Sequence, residues 1–234
     1  CRSKTAARKS SEELLSLRDA GLSRAHVGLE SGCDNVLAYM DKGVTAKDHI
    51  VGGKKIVESG ISLSEYVMPG LGGRRWRSQH AADTASVLNE INPDFIRLRS
   101  ISVRAGMPLY GQVQSGEFEV PSEDEMVQEI GWLIEGLRCR SEIKSDHDLN
   151  LLPEIDGKLP EDKDQLLKTI NTYLEMSDID RENFSLGRRT GYYYGLSDMA
   201  DPARREQVDH LLGNLKSQGE KVDRVLAGLR SRRM

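Results

Sequence analysis

Apolar residues in the first half of the chain recur at two spacings that alternate. The segment SSEELLSLRDAG (residues 10–21) carries the three-to-four-residue rhythm of a short helix, with Ser10 and Glu13 spaced as a capping box and Gly21 as its stop. The run AHVGL (25–29) then reads as a strand, and TAKDHIVGGKKIVESG (45–60) returns to helix, with Ala46, Ile50, Gly53 and Val57 on one face and Gly60 at the end. ISLSEYVM (61–68) is a second strand, broken by Pro69-Gly70. SQHAADTASVLNEI (78–91) is a helix with Ala81, Ala85 and Leu88 along its buried stripe. Asn92-Pro93 closes it ahead of a third strand, DFIRLRSISV (94–103). Strand and helix alternating with short links predict parallel strands joined by right-handed crossovers.

After Pro108 the pattern turns helical. SEDEMVQEIGWLIEGLRCR (122–140) sets Met126, Ile130, Leu133 and Leu137 in register behind a Ser122/Glu125 capping box. RSEIKSDHDLNLL (140–152) has room for one further strand. Helices are expected from Pro160 and from Asp201-Pro202, the latter with Val208, Leu211 and Leu215 on its apolar side. Between them FSLGRRTGYYYGLSDM (184–199) reads as irregular. The expected organisation is therefore an α/β unit over residues 1–110 and a mainly helical extension over residues 111–234. Three such strands leave the first with an unpaired edge, which natural proteins avoid. With no initiator Met ahead of CRSKTAARKS, the expectation is a piece of a longer protein, with earlier strands upstream.

Composition narrows the function classes. Of 234 residues 38% are hydrophobic, below the roughly 45–50% usual for globular chains, and 33 Lys+Arg stand against 37 Asp+Glu. A net charge of −4 gives no global attraction to nucleic acid or anionic lipid. The opening segment lacks the apolar core of a signal peptide, and no apolar run reaches the roughly 18 residues of a membrane span. Three cysteines (Cys1, Cys33, Cys139), far apart and without a C-x-x-C pair, point to reduced thiols in the cytoplasm and to no self-contained metal site.

In parallel α/β folds ligands gather at the carboxyl ends of the strands. Here those ends are Glu30-Ser31-Gly32, Met68 to Gly73, and Arg99 to Ser102. An acid at the first end suits paired ribose hydroxyls, glycines at 70, 72 and 73 allow backbone close to a flat ring, and backbone groups of the third strand are placed to read a base edge. The same pattern fits a plainer account: Glu30 as N-cap of the next helix and the glycines as turn punctuation. Arg75 stands where the last glycine of a dinucleotide fingerprint belongs, and VGGKK lacks the spacing of a phosphate loop.

The wording of three stretches goes further. LRDAGLSRAHVGLESGCDNVLAYMDKG (17–43), GISLSEYVMPGLGG (60–73) and NEINPDFIRLRSISVRAGMPLY (89–110) resemble the fourth, fifth and sixth strand regions of radical S-adenosylmethionine enzymes. The similarity is to the branch that holds the elongator catalytic subunit and the oxygen-independent coproporphyrinogen oxidases. SDHDLNLLPEIDGKLPEDK (145–163) and GRRTGYYYGLSDM (187–199) are similar to the tail of an uncharacterised iron–sulfur oxidoreductase group within it. The resemblance implies the carboxyl-terminal portion of a partial (βα)6 TIM-like barrel. It implies two cofactors, S-adenosylmethionine and a [4Fe-4S] cluster that cleaves it to a 5′-deoxyadenosyl radical, acting on a substrate it leaves unnamed. An electron donor such as flavodoxin or ferredoxin is implied too. It also assigns roles: Glu30, with Ser31, on the ribose hydroxyls, Lys42 toward the methionine carboxylate, and Tyr66, Met68, Arg99 and Ser100 flanking ribose and adenine.

The chain departs from that family in one respect: the C-x-x-x-C-x-x-C loop that holds the cluster is absent, so its ligands are expected upstream and this chain alone is expected to be inactive. Among other candidates, Asp146-His147-Asp148 reads as a surface turn, His26 as packed inside its strand, and His80 as solvated at a helix start. The 184–199 segment, with Arg188, Arg189 and Tyr192 to Tyr194, supports a second reading, a non-catalytic module that holds RNA or a protein partner. The favoured reading of the segment is a tyrosine-rich docking surface between tail and barrel.

Overall fold

The computed structural model describes residues 2–232; the expectation placed on Cys1 lies outside them. Two short helices, α1 (Ser3–Arg8) and α2 (Ser11–Asp19), lead into β1 (Arg24–Glu30), α3 (Asp34–Tyr39), α4 (Ala46–Glu58), β2 (Ser62–Val67), α5 (Arg77–Ile91) and β3 (Phe95–Leu98). Then follow α6 (Pro108–Ser115), α7 (Glu123–Gly136), β4 (Glu142–Lys144), β5 (Gly157–Lys158), α8 (Lys163–Leu174), α9 (Asp178–Thr190), α10 (Pro202–Ser217) and α11 (Val222–Arg232). The capping boxes read from the sequence are formed: Ser10 and Ser122 each accept from the backbone N–H of the glutamate that reaches back to them.

The strands make one five-stranded sheet in the order β1-β2-β3-β4-β5, parallel throughout except for the antiparallel β4–β5 pair. The chain thus has the α/β class that the alternating pattern predicts. β4 falls within RSEIKSDHDLNLL and carries the sheet beyond residue 110. A single large apolar cluster likewise draws on both sides of that point, from Val27 and Leu63 to Ile170 and Phe184.

Period-two alternation divides the sheet into a covered and an open side. Val27, Leu29, Leu63, Val67, Ile96, Leu98 and Ile143 face the helices and are buried in that cluster. In register on the other side are His26, Gly28, Tyr66, Phe95 and Arg97, all exposed or partly exposed. His26 is therefore not packed: its ring lies at the open surface, 6.0 Å from that of Tyr66. Glu65 interrupts the covered side. It shares the parity of Leu63 and Val67, is 0% exposed, and neither carboxylate oxygen meets a hydrogen-bond partner. Burial pushes its carboxyl up to about 8, so the group is held neutral at pH 7.

A second, smaller cluster of Cys33, Val36, Leu71, Ile101, Phe118 and Met126 caps the region beyond the strand ends. The segment expected to be irregular from residue 184 is helical up to Thr190, as the second half of α9. Residues 183 to 189 are all buried, arginines included, so the one-sided polarity that marks a surface helix is missing from this stretch.

Candidate functional site

β1 ends in a bulge. The register with β2 slips between Gly28 and Glu30, and Glu30 takes a left-handed φ of 59°. This turns the Glu30 side chain back over Gly28, where an added Cβ would lie 3.1 Å from Glu30 Oε1. Gly28 thus leaves room for the carboxylate on the open side of the sheet, opposite Tyr66 in register. Glu30 is not the N-cap of α3: that position is Cys33, which makes no side-chain capping bond.

The three strand ends lie side by side. Met68 N–H donates to Glu30 O at 3.0 Å, Arg99 N–H to Val67 O at 2.9 Å, and Ile101 N–H to Pro69 O at 2.9 Å. Of the residues singled out in the sequence, Glu30, Tyr66 and Arg99 sit at or near this edge with exposed surface. Lys42 reaches the same place and puts Nζ 2.5 Å from Glu30 Oε2, so it partners the acid itself. Ser31 is buried, its hydroxyl accepting from Cys33 N–H at 3.0 Å. Met68 packs its partly buried side chain against the smaller apolar cluster.

At the third strand end Ser100 is tied to Asn150. Asn150 Oδ1 accepts both Ser100 N–H and Ser100 Oγ–H, at 2.9 and 3.1 Å, and its Nδ2 donates to Leu98 O at 2.8 Å. The N–H groups of Arg99 and Ile101 are bonded to Val67 O and Pro69 O, so the backbone N–H groups from 99 to 101 all have partners. Gly70 likewise serves packing. At φ 86° its missing Cβ would meet Ile101 Cγ2 at 2.7 Å, so this glycine lets the loop after β2 close on the smaller core and does not face an open surface.

Two residues that carried no weight in the sequence reading stand directly behind the site. His80 is buried, 1% exposed, where a solvated helix start was expected. Its Nε2 lies 3.3 Å from Glu30 O and its Nδ1 2.9 Å from Glu129 Oε1, and that same oxygen accepts Gly70 N–H at 2.7 Å. Thr84, one turn further along α5, accepts Gly32 N–H at 2.9 Å. The signal was present: His80, Thr84, Val87 and Ile91 follow helical spacing on one face, all buried.

Among the described residues no three His, Cys, Asp or Glu side chains cluster as metal ligands. Cys33 and Cys139 are buried in different apolar clusters, and burial pushes both thiols up, away from the thiolate a cluster ligand must be. In the Arg/Tyr segment the buried part comes first, and surface is reached from Thr190 onward. Arg188, Arg189 and Tyr193 are buried, Arg189 clasping Glu123 through two bonds of 2.8 and 2.7 Å, and Tyr194 alone of the three tyrosines is well exposed. No helix among the described residues is long and apolar enough to cross a membrane.

Comparison with known proteins agrees with this architecture. No family model matches the chain. The tRNA uridine(34) acetyltransferase of Methanocaldococcus infernus is 24% identical over 124 residues, 53% of this chain and 23% of that protein. The protein of the same description from Methanocaldococcus jannaschii is 23% identical over 122 residues, 52% of this chain and again 23% of the relative. The chain thus spans about a quarter of the length of the curated relatives it matches. The solved structure of archaeal Methanocaldococcus infernus Elp3, with an N-terminal deletion, superposes at a TM-score of 0.50 and 22% identity, over 62% of this chain and 34% of the other. At that level the likeness is one of fold: a parallel-dominated α/β sheet flanked by helices.

Proposed function

We propose that this chain is the later part of a radical S-adenosylmethionine barrel that modifies tRNA, and that its Glu30 holds the ribose of the bound nucleoside. The observation that carries the reading is the Glu30 turn. Three parallel strand ends meet at one edge, and the acid folds back over Gly28 onto the open side of the sheet. The family resemblance and the tRNA-modifying description of the relatives both support it.

The residues present fit the nucleoside half of the cofactor and not the cluster. Glu30 offers carboxylate oxygens to two vicinal hydroxyls, bonds that are stronger for being charge-assisted. Lys42 keeps that carboxylate oriented and, with side chains about a third and a quarter exposed, the pair remains reachable from solvent. Tyr66, beside Gly28 in register, lines the adjoining surface of the sheet, and Arg99 adds positive charge at the rim. When bound next to a reduced iron–sulfur cluster, S-adenosylmethionine supplies a hydrogen-abstracting radical. The described residues hold no set of thiolates for that cluster.

The test is Glu30→Ala in the cluster-containing protein of which this chain is part, kept anaerobic and titrated calorimetrically with S-adenosylmethionine. Loss of a charge-assisted bidentate contact should weaken binding roughly tenfold to a hundredfold, with the cluster's absorbance unchanged. Equal affinity in variant and parent defeats the ribose assignment.

A further inference from the structure

The Glu30 backbone conformation needs an explanation, because a residue other than glycine rarely holds a left-handed φ unless its surroundings fix it. Here the surroundings form a closed ring of hydrogen bonds. Glu30 O accepts from Met68 N–H and faces His80 Nε2; His80 Nδ1 meets Glu129 Oε1; and Glu129 Oε1 accepts from Gly70 N–H, two residues beyond Met68. A carbonyl oxygen only accepts, so the ring closes with one hydrogen on His80 Nε2 and a second one shared between His80 Nδ1 and Glu129 Oε1. The ring ties the exits of β1 and β2 to α5 and α7, entirely out of solvent: the His80 and Glu129 side chains are 2% and 3% exposed.

A buried polar pair of this kind adds little net stability over apolar residues of similar size. Its value lies in fixing one geometry. We propose that His80, oriented by Glu129, is a positioning residue for the site. By donating to Glu30 O it locks the left-handed turn that places the Glu30 carboxylate over Gly28. The proposal deepens the ribose reading and rests on it for the ligand, but the positioning itself can be read without any ligand. Thr84, holding Gly32 from the same face of α5, shows that this helix engages the β1 exit at two points one turn apart.

Two substitutions separate positioning from packing. His80→Gln keeps a donor near the place of Nε2, whereas His80→Asn keeps one near Nδ1 and cannot reach Glu30 O. In isotopically labelled 234-residue chain, the Glu30 Cα chemical shift reports whether the residue is left-handed or extended. The expectation is a left-handed shift in the parent and in His80→Gln and an extended or averaged one in His80→Asn. S-adenosylmethionine affinity of the intact protein should follow in the same order, falling roughly tenfold for His80→Asn and within about threefold of the parent for His80→Gln. A left-handed shift retained in His80→Asn, or lost equally in both variants, overturns the positioning role. If His80→Asn fails to fold, Glu129→Gln asks the same question. It keeps an acceptor for Gly70 N–H but loosens the hold on His80, so an unchanged Glu30 shift there is the overturning result. If the parent protein shows no affinity for S-adenosylmethionine, the ribose reading falls and the Glu30 shifts still decide the proposal.

Discussion

On β2, Tyr66 belongs to the open side of the sheet while Leu63, Glu65 and Val67 face the helices. Polar groups on the two sides live under different terms. Arg97 pairs with Asp146, and Lys144 with Glu142 and Asp156, each with surface left to water, where screening and side-chain entropy reduce such pairs to about 0–1 kcal/mol. In the covered interior a polar group is either fully matched, as in the Arg189–Glu123 clasp, or stranded, as in Glu65. The comparison teaches that residue type says little about energetic weight, whereas the side of the sheet or helix on which a residue falls says most of it.

The largest expected effect breaks the matched interior pair. Burial alone would push the Glu123 carboxyl up; Arg230 and Arg189 outweigh it and hold the group below the usual carboxylate range. Arg189→Met leaves that charge with one of its clasping partners gone and should destabilise the fold by about 3–5 kcal/mol in urea unfolding. A loss under about 1 kcal/mol would mean that the interior is wetter than its packing indicates.

Glu65→Leu should act in the opposite direction. The folded carboxyl titrates near 8 and the unfolded one near its ordinary 4.5. As pH rises through that window the unfolded chain loses its proton first, and the equilibrium is drawn toward it. Replacing the acid should therefore stabilise the fold increasingly across the window, by roughly 3 kcal/mol at pH 7 at 1.4 kcal/mol per unit. His49 provides the internal control. Burial lowers its imidazole to about 4, so its contribution is complete above 6.5 and is lost as pH falls from there toward 4. The two slopes oppose each other between 4.5 and 6.5, so the variant should steepen the rise in that range and flatten the fall between 6.5 and about 8.

The smallest effect is expected on the open side, where Tyr66→Ala should change stability by about 1 kcal/mol or less. A larger loss, measured in the same unfolding series, would show that the open side is a packed surface in the isolated chain and would end the contrast.

Much of the frame was legible in the sequence because helix and strand periods, capping boxes and closing glycines act locally. β1, α4, β2, α5 and α7 lie where the pattern sets them, while β3 is the short Phe95–Leu98 within the expected 94–103, because the chain leaves the sheet where Ser100 bonds Asn150. What escaped has a common cause: a long-range partner changes the meaning of a polar residue. Arg188 and Arg189 were assigned to a docking segment without their partners, because nothing nearby in sequence marks Glu123, Leu151 O or Asp148 O as their acceptors. Asn150 takes up the Ser100 N–H from a loop some 50 residues away. Glu30 was found because its position depends only on where a strand stops. His80 was missed because its burial depends on α7 supplying Glu129.

Glu30 also bears on how this chain can change over time. Glycine would take up its backbone conformation freely, whereas a glutamate there is strained by about 1 kcal/mol or more. Selection for endurance alone would favour glycine at this point and discard the acid. A lineage that grows more heat-tolerant yet retains the carboxylate is therefore declining an easy gain, and that refusal would be a historical trace in favour of the sugar-binding role proposed for it.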